Sequence, residues 1–322
     1  MNHPIPPGTR DVLPDEMREL RAITDALQAT FTAAGYGEVW TPAIEYEEVL
    51  RAGDDRAARA GYRLFDDQGH VLALRSDMTI PIARVAATRF PDVSEPLRLS
   101  YFAHAYRSVG RGSGQQREFL QGGCELIGVA GPEGEAEAIA LLLQALEAAG
   151  LARHRIGLGD GALYRDLLAT LDVPEDARDE LLRRLSARDL VGLEMRVDQL
   201  GLATSARQAL VGLPELRGGP EVLDRAAGMA GAAVQGLAEL YAALVDRGVA
   251  DRVIVDLGLV RELSYYTGAV FEVYDPAVGF SLGGGGRYDE LVGRFGAPRP
   301  ACGFGLDVQR LHIARAAEEG LR

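Results

Sequence analysis

After Pro14, apolar residues recur at spacings of three and four. Met17, Leu20, Ile23, Leu27 and Phe31 form one stripe, which predicts a helix closed by Gly35. Residues 38–41 read as a strand ended by Pro42, and 45–50 as a short helix. Residues 62–65 and 70–74 flank Asp66-Asp67-Gln68-Gly69, a hairpin signal. A helix over 80–90 follows, with Asp77 and Thr79 at the strand-to-helix junction, where such side chains cap helix starts. Residues 97–107 and 117–127 predict two strands joined by a polar loop carrying Gly110, Gly112 and Gly114. In the second strand, alternation puts Gln121, Gly123 and Glu125 on one face and Cys124 and Leu126 on the other. At about 3.3 Å per residue, Gln121 and Glu125 stand about 13 Å apart, a span suited to gripping both ends of an amino-acid-sized ligand.

The second half predicts a helix over 135–149, a strand over 155–158 and a Leu-rich helical stretch over 162–217. A long Ala-rich helix, 221–246, leads to an apolar strand that runs into Arg261, Glu262 and the pair Tyr265-Tyr266, with another strand over 269–274. Residues 281–289 read as a glycine-dense turn, 289–295 as a helix, 301–305 as a strand and 306–317 as a helix. Hairpin-joined strands with helices between groups predict an α+β fold: an antiparallel sheet flanked by helices, with a small helical insertion. Residues 1–170 and 221–322 are read as two parts of one core, and 171–220 as the insertion.

Charge narrows the function. The 47 acids outnumber the 34 bases, giving a formal net charge of −13. That balance disfavours a polyanion as ligand, since such affinity comes mainly from phosphate neutralisation. Cys124 and Cys302 have no CxxC spacing and the histidines are scattered, so no metal site and no cofactor is expected. The opening residues lack the basic-then-apolar order of a signal peptide, and no stretch approaches the roughly 18 apolar residues of a membrane span. A cytoplasmic protein with no membrane association is the expectation. No GxGxxG follows the first strand, so nicotinamide binding has no support.

Several motifs in order resemble the catalytic core of histidyl-tRNA synthetases, a class II synthetase family. They are 8–14 at the start, 37–42 as the dimer-forming motif 1, 74–79 as a histidine-contacting segment, 106–107 with 117–125 as motif 2, 261–266 as the histidyl signature, and 303–310 as motif 3. The resemblance implies histidine contacts at Asp77, Thr79, Arg107, Gln121, Glu125, Arg261, Tyr265 and Tyr266. There, carboxylates suit an ammonium, arginine suits a carboxylate, and Glu and Tyr groups suit an imidazole. The reaction apparatus departs from the family. Val109 stands where motif 2 has an acid, Gln309 where motif 3 has a glutamate, Asp307 where it has a glycine, and Glu262 and Ser264 alter the signature. Few residues follow Arg310, so no anticodon-binding domain is expected.

A kept amino-acid pocket beside a dismantled adenylation site is similar to a paralogue group of that family, the regulatory subunits of ATP phosphoribosyltransferase. That resemblance implies a protein with no catalytic residues and no aminoacylation activity. It would be required by a short catalytic subunit in the first step of histidine biosynthesis and would carry feedback inhibition by L-histidine. A homodimer within a hetero-oligomer, without tRNA, is implied as well. The alternatives are a synthetase core that adenylates histidine, and an amino-acid-binding protein acting on some other partner.

Overall fold

The computed structural model describes residues 4–55, 61–108, 116–171, 173–260 and 265–321. Val109, Arg261, Glu262 and Ser264 lie outside the described residues, and with them one expected histidine contact, Arg261.

A nine-stranded sheet organises the chain. Its strands are β1 (Gly37–Glu38), β5 (Leu97–Tyr106), β6 (Glu118–Ile127), β7 (Arg155–Asp160), β8 (Arg217–Gly218), β9 (Val253–Asp256), β10 (Ala269–Tyr274), β11 (Gly283–Arg287) and β12 (Ala301–Asp307). Their order in space is β1-β5-β6-β12-β11-β10-β7-β9-β8. The sheet is mixed: β1 with β5 and β7 with β9 run parallel, and the other pairings are antiparallel. A small antiparallel sheet, β2 (Ile44–Tyr46), β4 (Val71–Leu74) and β3 (Arg63–Phe65), stands beside it.

Alternation along β6 assigns the faces. Cys124 and Leu126 join the larger core with the stripe Leu20, Ile23, Leu27 and Phe31 of α1 (Pro14–Ala33). Helices α4 (Pro132–Ala148) and α11 (Val308–Gly320) cover the same face. On the other face, Ile127, Tyr101 and Val270 pack with Ile80, Ile82 and Ala83 of α3 (Thr79–Arg89). Among the described residues the other helices are α2 (Glu47–Gly53), α5 (Leu163–Thr170), α6 (Glu175–Ser186), α7 (Leu190–Leu200), α8 (Thr204–Gly212), α9 (Glu221–Ala230) and α10 (Gln235–Asp246). Leu181, Leu185, Leu193, Val197 and Leu210 of α6, α7 and α8 belong to the larger core.

Four local expectations are corrected. Glu45 lies in β2, and α2 starts two residues later, because Ile44 to Tyr46 pair with β4. The single helix over 221–246 is broken at Gly231, whose φ of 56° lies in the left-handed region, and a 3₁₀ turn over Gly231–Val234 separates α9 from α10. The glycine-dense stretch forms β11, a central strand rather than a turn. Only a 3₁₀ turn, Val292–Arg294, occupies the stretch read as a helix over 289–295.

Candidate functional site

Glycines on adjacent strands make the floor of the site. On β11, a Cβ on Gly285 would stand 1.9 Å from the Gly303 carbonyl, and one on Gly286 would stand 2.7 Å from the Tyr266 ring. A side chain at either position would displace its neighbours, so the run is glycine because the sheet and Tyr266 approach its backbone. On β12, Gly303 pairs with Glu125 and Asp307 with Gln121. A Cβ on Gly303 would fall 1.8 Å from Glu125 Oε2, and one on Gly305 would fall 2.2 Å from Gln121 Nε2. The β12 glycines therefore let two polar side chains of β6 lie across the neighbouring strand.

Above this floor opens a cavity of about 1030 Å³. One end is acidic. Asp54 and Asp77 line it with Thr79, Gln121, Tyr265, Tyr266 and Tyr288. Asp77 Oδ1 accepts from the Ile80 N–H at 3.3 Å, capping α3 while lining the cavity. Burial raises the Asp77 carboxyl above its ordinary range, against the pull of the Ile80 N–H and of Arg107. Gln121 Oε1 is buried and has no hydrogen-bond partner among the described residues. Glu125 is fully buried behind the cavity wall. Thr79 Oγ1 donates to its Oε1 at 2.8 Å and the Tyr288 hydroxyl donates to its Oε2. Burial pushes the Glu125 carboxyl up to about 8, opposed by those two hydroxyls and reinforced by Asp77. Tyr265 meets Tyr266 at a tilt of 55° and Tyr288 edge-on at 79°, with ring separations of 4.9 and 6.0 Å.

The other end carries arginines and aromatics. Arg107 lies over the Phe119 ring at 4.6 Å. Arg310 lies over Phe280 at 5.4 Å and donates from Nη1 to the Ser281 carbonyl at 2.7 Å. Asp307 caps α11 by accepting from the Arg310 N–H at 3.0 Å. Gln309 is buried away from the cavity, and its Oε1 accepts from the Leu120 N–H of β6 at 2.8 Å. The turn between α6 and α7 reaches this rim through Ser186, Ala187 and Arg188. Arg188 holds a φ of 53° and stands 3.7 Å from Asp256.

Six expected contacts, Asp77, Thr79, Arg107, Gln121, Tyr265 and Tyr266, line this one cavity. Glu125 stands one layer back, reached through Thr79 and Tyr288. Asp54 and Tyr288 were not foreseen. Tyr288 carried a usable signal, since it follows a glycine run that reserves room on the cavity floor. Asp54 carried none, because an acid after a short helix reads as solvated.

The sequence profile of the family described as histidyl-tRNA synthetase matches residues 8–311. An ATP phosphoribosyltransferase regulatory subunit from Desulforamulus reducens is 40% identical over 98% of this chain and 79% of its own length. One from Symbiobacterium thermophilum is 43% identical, over 98% of this chain and 82% of its own. The chain belongs to the family of ATP phosphoribosyltransferase regulatory subunits. A crystal structure from Bacillus halodurans, described as an ATP phosphoribosyltransferase regulatory subunit/histidyl-tRNA synthetase, superposes with a TM-score of 0.90 at 36% identity, covering 98% of this chain and 84% of that one. Regulatory subunits of this family thus carry a synthetase-like fold, and the mixed sheet with its flanking helices is that fold.

Proposed function

We propose that this chain is the non-catalytic regulatory subunit of an ATP phosphoribosyltransferase and that it senses free L-histidine in the acidic end of its cavity. The observation that carries the reading is the buried oxygen of Gln121, without a partner among the described residues, in a cavity that Asp54 and Asp77 also line. A buried acceptor without a donor costs about 1–3 kcal/mol, which a ligand ammonium would recover. Asp77 and Gln121 take the ammonium. An imidazole N–H that displaces the Thr79 or Tyr288 hydroxyl meets the Glu125 carboxylate, and Arg107 with Arg261 takes the ligand carboxylate.

Gln309 supports a regulatory rather than an adenylating role. Its amide is neutral, points out of the cavity and is held by the Leu120 N–H, so the position offers no charge to a hard cation. The relatives' name supports a catalytic transferase as the partner, a short-form subunit in this reading. Feedback by histidine is then a coupling free energy of typically about 1–3 kcal/mol, and the partner's substrates weaken histidine binding by the same factor. Trp40, 93% exposed, and Phe65, 74% exposed, with Ile44 and Tyr46 support a homodimer through the β1–β2 region. The net charge of −13 supports a protein that does not hold tRNA, and a biosynthetic transferase as partner supports work in the cytoplasm.

Calorimetric titration of the purified chain with L-histidine, followed by assay of the short transferase with and without the chain, tests the reading. Saturable histidine binding and a transferase that requires this chain are expected. Histidine-dependent ATP–pyrophosphate exchange by the chain alone would overturn it in favour of an adenylating core.

A further inference from the structure

The cavity is larger than one amino acid fills, since about 300–1,000 Å³ accommodates drug-sized ligands. Its arginine end has the parts of a nucleotide subsite: two arginines, two aromatic rings and the N-terminus of the 13-residue helix α11, where an anion is ordinarily favoured. Each part is already engaged by the chain itself. The Asp307 carboxylate takes the helix N-terminus through the Arg310 N–H, at 3.0 Å, and faces Arg310 Nε at 3.3 Å. Arg107 and Arg10 are also within electrostatic reach of that carboxylate. Arg310 is held between Phe280 and the Ser281 carbonyl, and the Phe119 face is covered by Arg107. Magnesium-bound nucleotide does not fit this end. The motif 3 position that would offer a carboxylate is Gln309, directed at β6, and the carboxylate that is present sits where a phosphate would.

We propose that Asp307 is a specificity-determining residue: it fills the anion slot at the start of α11 from within the chain and so closes the distal half of the cavity to nucleotides and other phosphorylated ligands. This rests on the amino-acid-sensor reading and gives it a necessary property. A sensor serving a transferase that consumes ATP has to stay unoccupied by ATP, while its pocket keeps the arginines and rings that attract one. A fixed carboxylate does this with one residue. It neutralises Arg310, 3.3 Å away, for any second anion while leaving Arg107 to the amino acid, and it repels a phosphate group at short range where the surroundings screen poorly.

The test is calorimetric titration of the full chain with ATP, with and without magnesium, and separately with L-histidine. The proteins are the wild type, Asp307→Asn and Asp307→Gly. Asparagine keeps a cap for α11 and removes the charge, and glycine also frees the helix N-terminus. The expected result is no saturable ATP binding by the wild type at millimolar concentration. Both variants gain binding by about tenfold or more, the gain weakens with added salt, and histidine affinity changes far less. Wild-type binding of ATP as tight as the variants' would overturn the proposal, without reference to how well the variants fold. So would variants that unfold with the wild-type midpoint and remain blind to ATP. The histidine arm separates the two readings. If ATP behaves as expected and no protein binds histidine, Asp307 excludes nucleotides and the sensor reading fails. If histidine binds and the variants stay blind to ATP, only the role of Asp307 fails.

Discussion

Replacing Glu125 by glutamine changes charge at one fully buried position and little else. In the folded protein burial pushes this carboxyl up to about 8, whereas in the unfolded chain it titrates at its ordinary 4.5. The folded state therefore keeps a proton that the unfolded chain releases. The resulting stability is complete below about 4.5, declines as pH rises, and is gone above about 8. At about 1.36 kcal/mol per unit, the full window is worth on the order of 5 kcal/mol, of which about 3 kcal/mol falls between pH 5 and pH 8. Glutamine keeps the shape, offers an acceptor to one of the two hydroxyls and does not titrate. Urea unfolding of both proteins at pH 5, 6.5 and 8 reads the effect. The wild type should lose about 3 kcal/mol more than Glu125→Gln across that range, so the variant gains relative stability as pH rises. Titrating groups that do not interact with Glu125 are common to the two proteins and cancel; Asp77, which reinforces its shift, is the neighbour whose titration changes with it. Histidine titration of the same pair tests the ligand contact, since losing a charged acceptor costs about 1.5–3 kcal/mol, or roughly 10- to 150-fold in affinity. The ratio of wild-type to variant affinity should climb from pH 6 towards pH 8 as Glu125 ionises. Stability curves that run parallel in pH would refute the raised carboxyl.

Three further outcomes follow from the geometry. Arg75 is buried and donates to the Thr41, Pro42 and His104 carbonyls at 2.7, 3.0 and 2.8 Å, so Arg75→Ala orphans buried acceptors. It should lower unfolding stability by at least about 3 kcal/mol in urea, and an unchanged midpoint would contradict the clamp. Gly303→Ala places a methyl 1.8 Å from Glu125 Oε2, so it should abolish histidine binding and cost about 1–3 kcal/mol, measured by calorimetry and thermal melt. Trp40→Asp should turn a dimer into a folded monomer in sedimentation velocity, because a residue 93% exposed contributes nothing to the core of one copy.

Much of the arrangement is written in periodicity. Leu20, Ile23, Leu27 and Phe31 of the α1 stripe are buried while Met17, its first member, is exposed; the alternation of β6 separates two faces that are both buried over residues 122–127, and the order of motifs gathers six contacts into one cavity. The central glycine strand was hidden for a physical reason. Gly283 to Gly286 have no side chains with which to declare a pleat, and the features that require them, the Tyr266 ring and the Gly303 carbonyl, belong to residues distant in sequence. Glu125 was legible as a polar residue on a strand, but not as one sealed behind Thr79 and Tyr288, since Tyr288 arrives from 163 residues away. The division of the cavity was half visible. Sequence identified Gln309 and Asp307 as departures, and the fold adds that one turns towards β6 and the other caps α11.

In the histidine-sensor reading, that division also constrains how a signal would leave the pocket. Tyr266 lines the acidic end, and its carbonyl accepts from Arg165 Nη2 of α5 at 2.9 Å. The neighbouring Tyr164 hydroxyl donates to the Leu257 carbonyl at 2.8 Å, just after β9. One short helix thus grips the chain on both sides of residues 261–264, which carry the expected carboxylate contact Arg261. From the opposite rim, Arg188 in the α6–α7 turn reaches Asp256 at the end of the same strand. Ligand binding that reorients Tyr266 has to be accommodated by α5, whose Leu167 and Leu168 are packed in the larger core with Leu181 and Leu185 of α6. A packed core transmits such a shift rather than absorbing it. The helical segment over the cavity is therefore mechanically tied to the ligand end by polar bonds and to the body of the protein by leucines. That is the arrangement an effector pocket needs if its occupancy is to be felt at a distant surface.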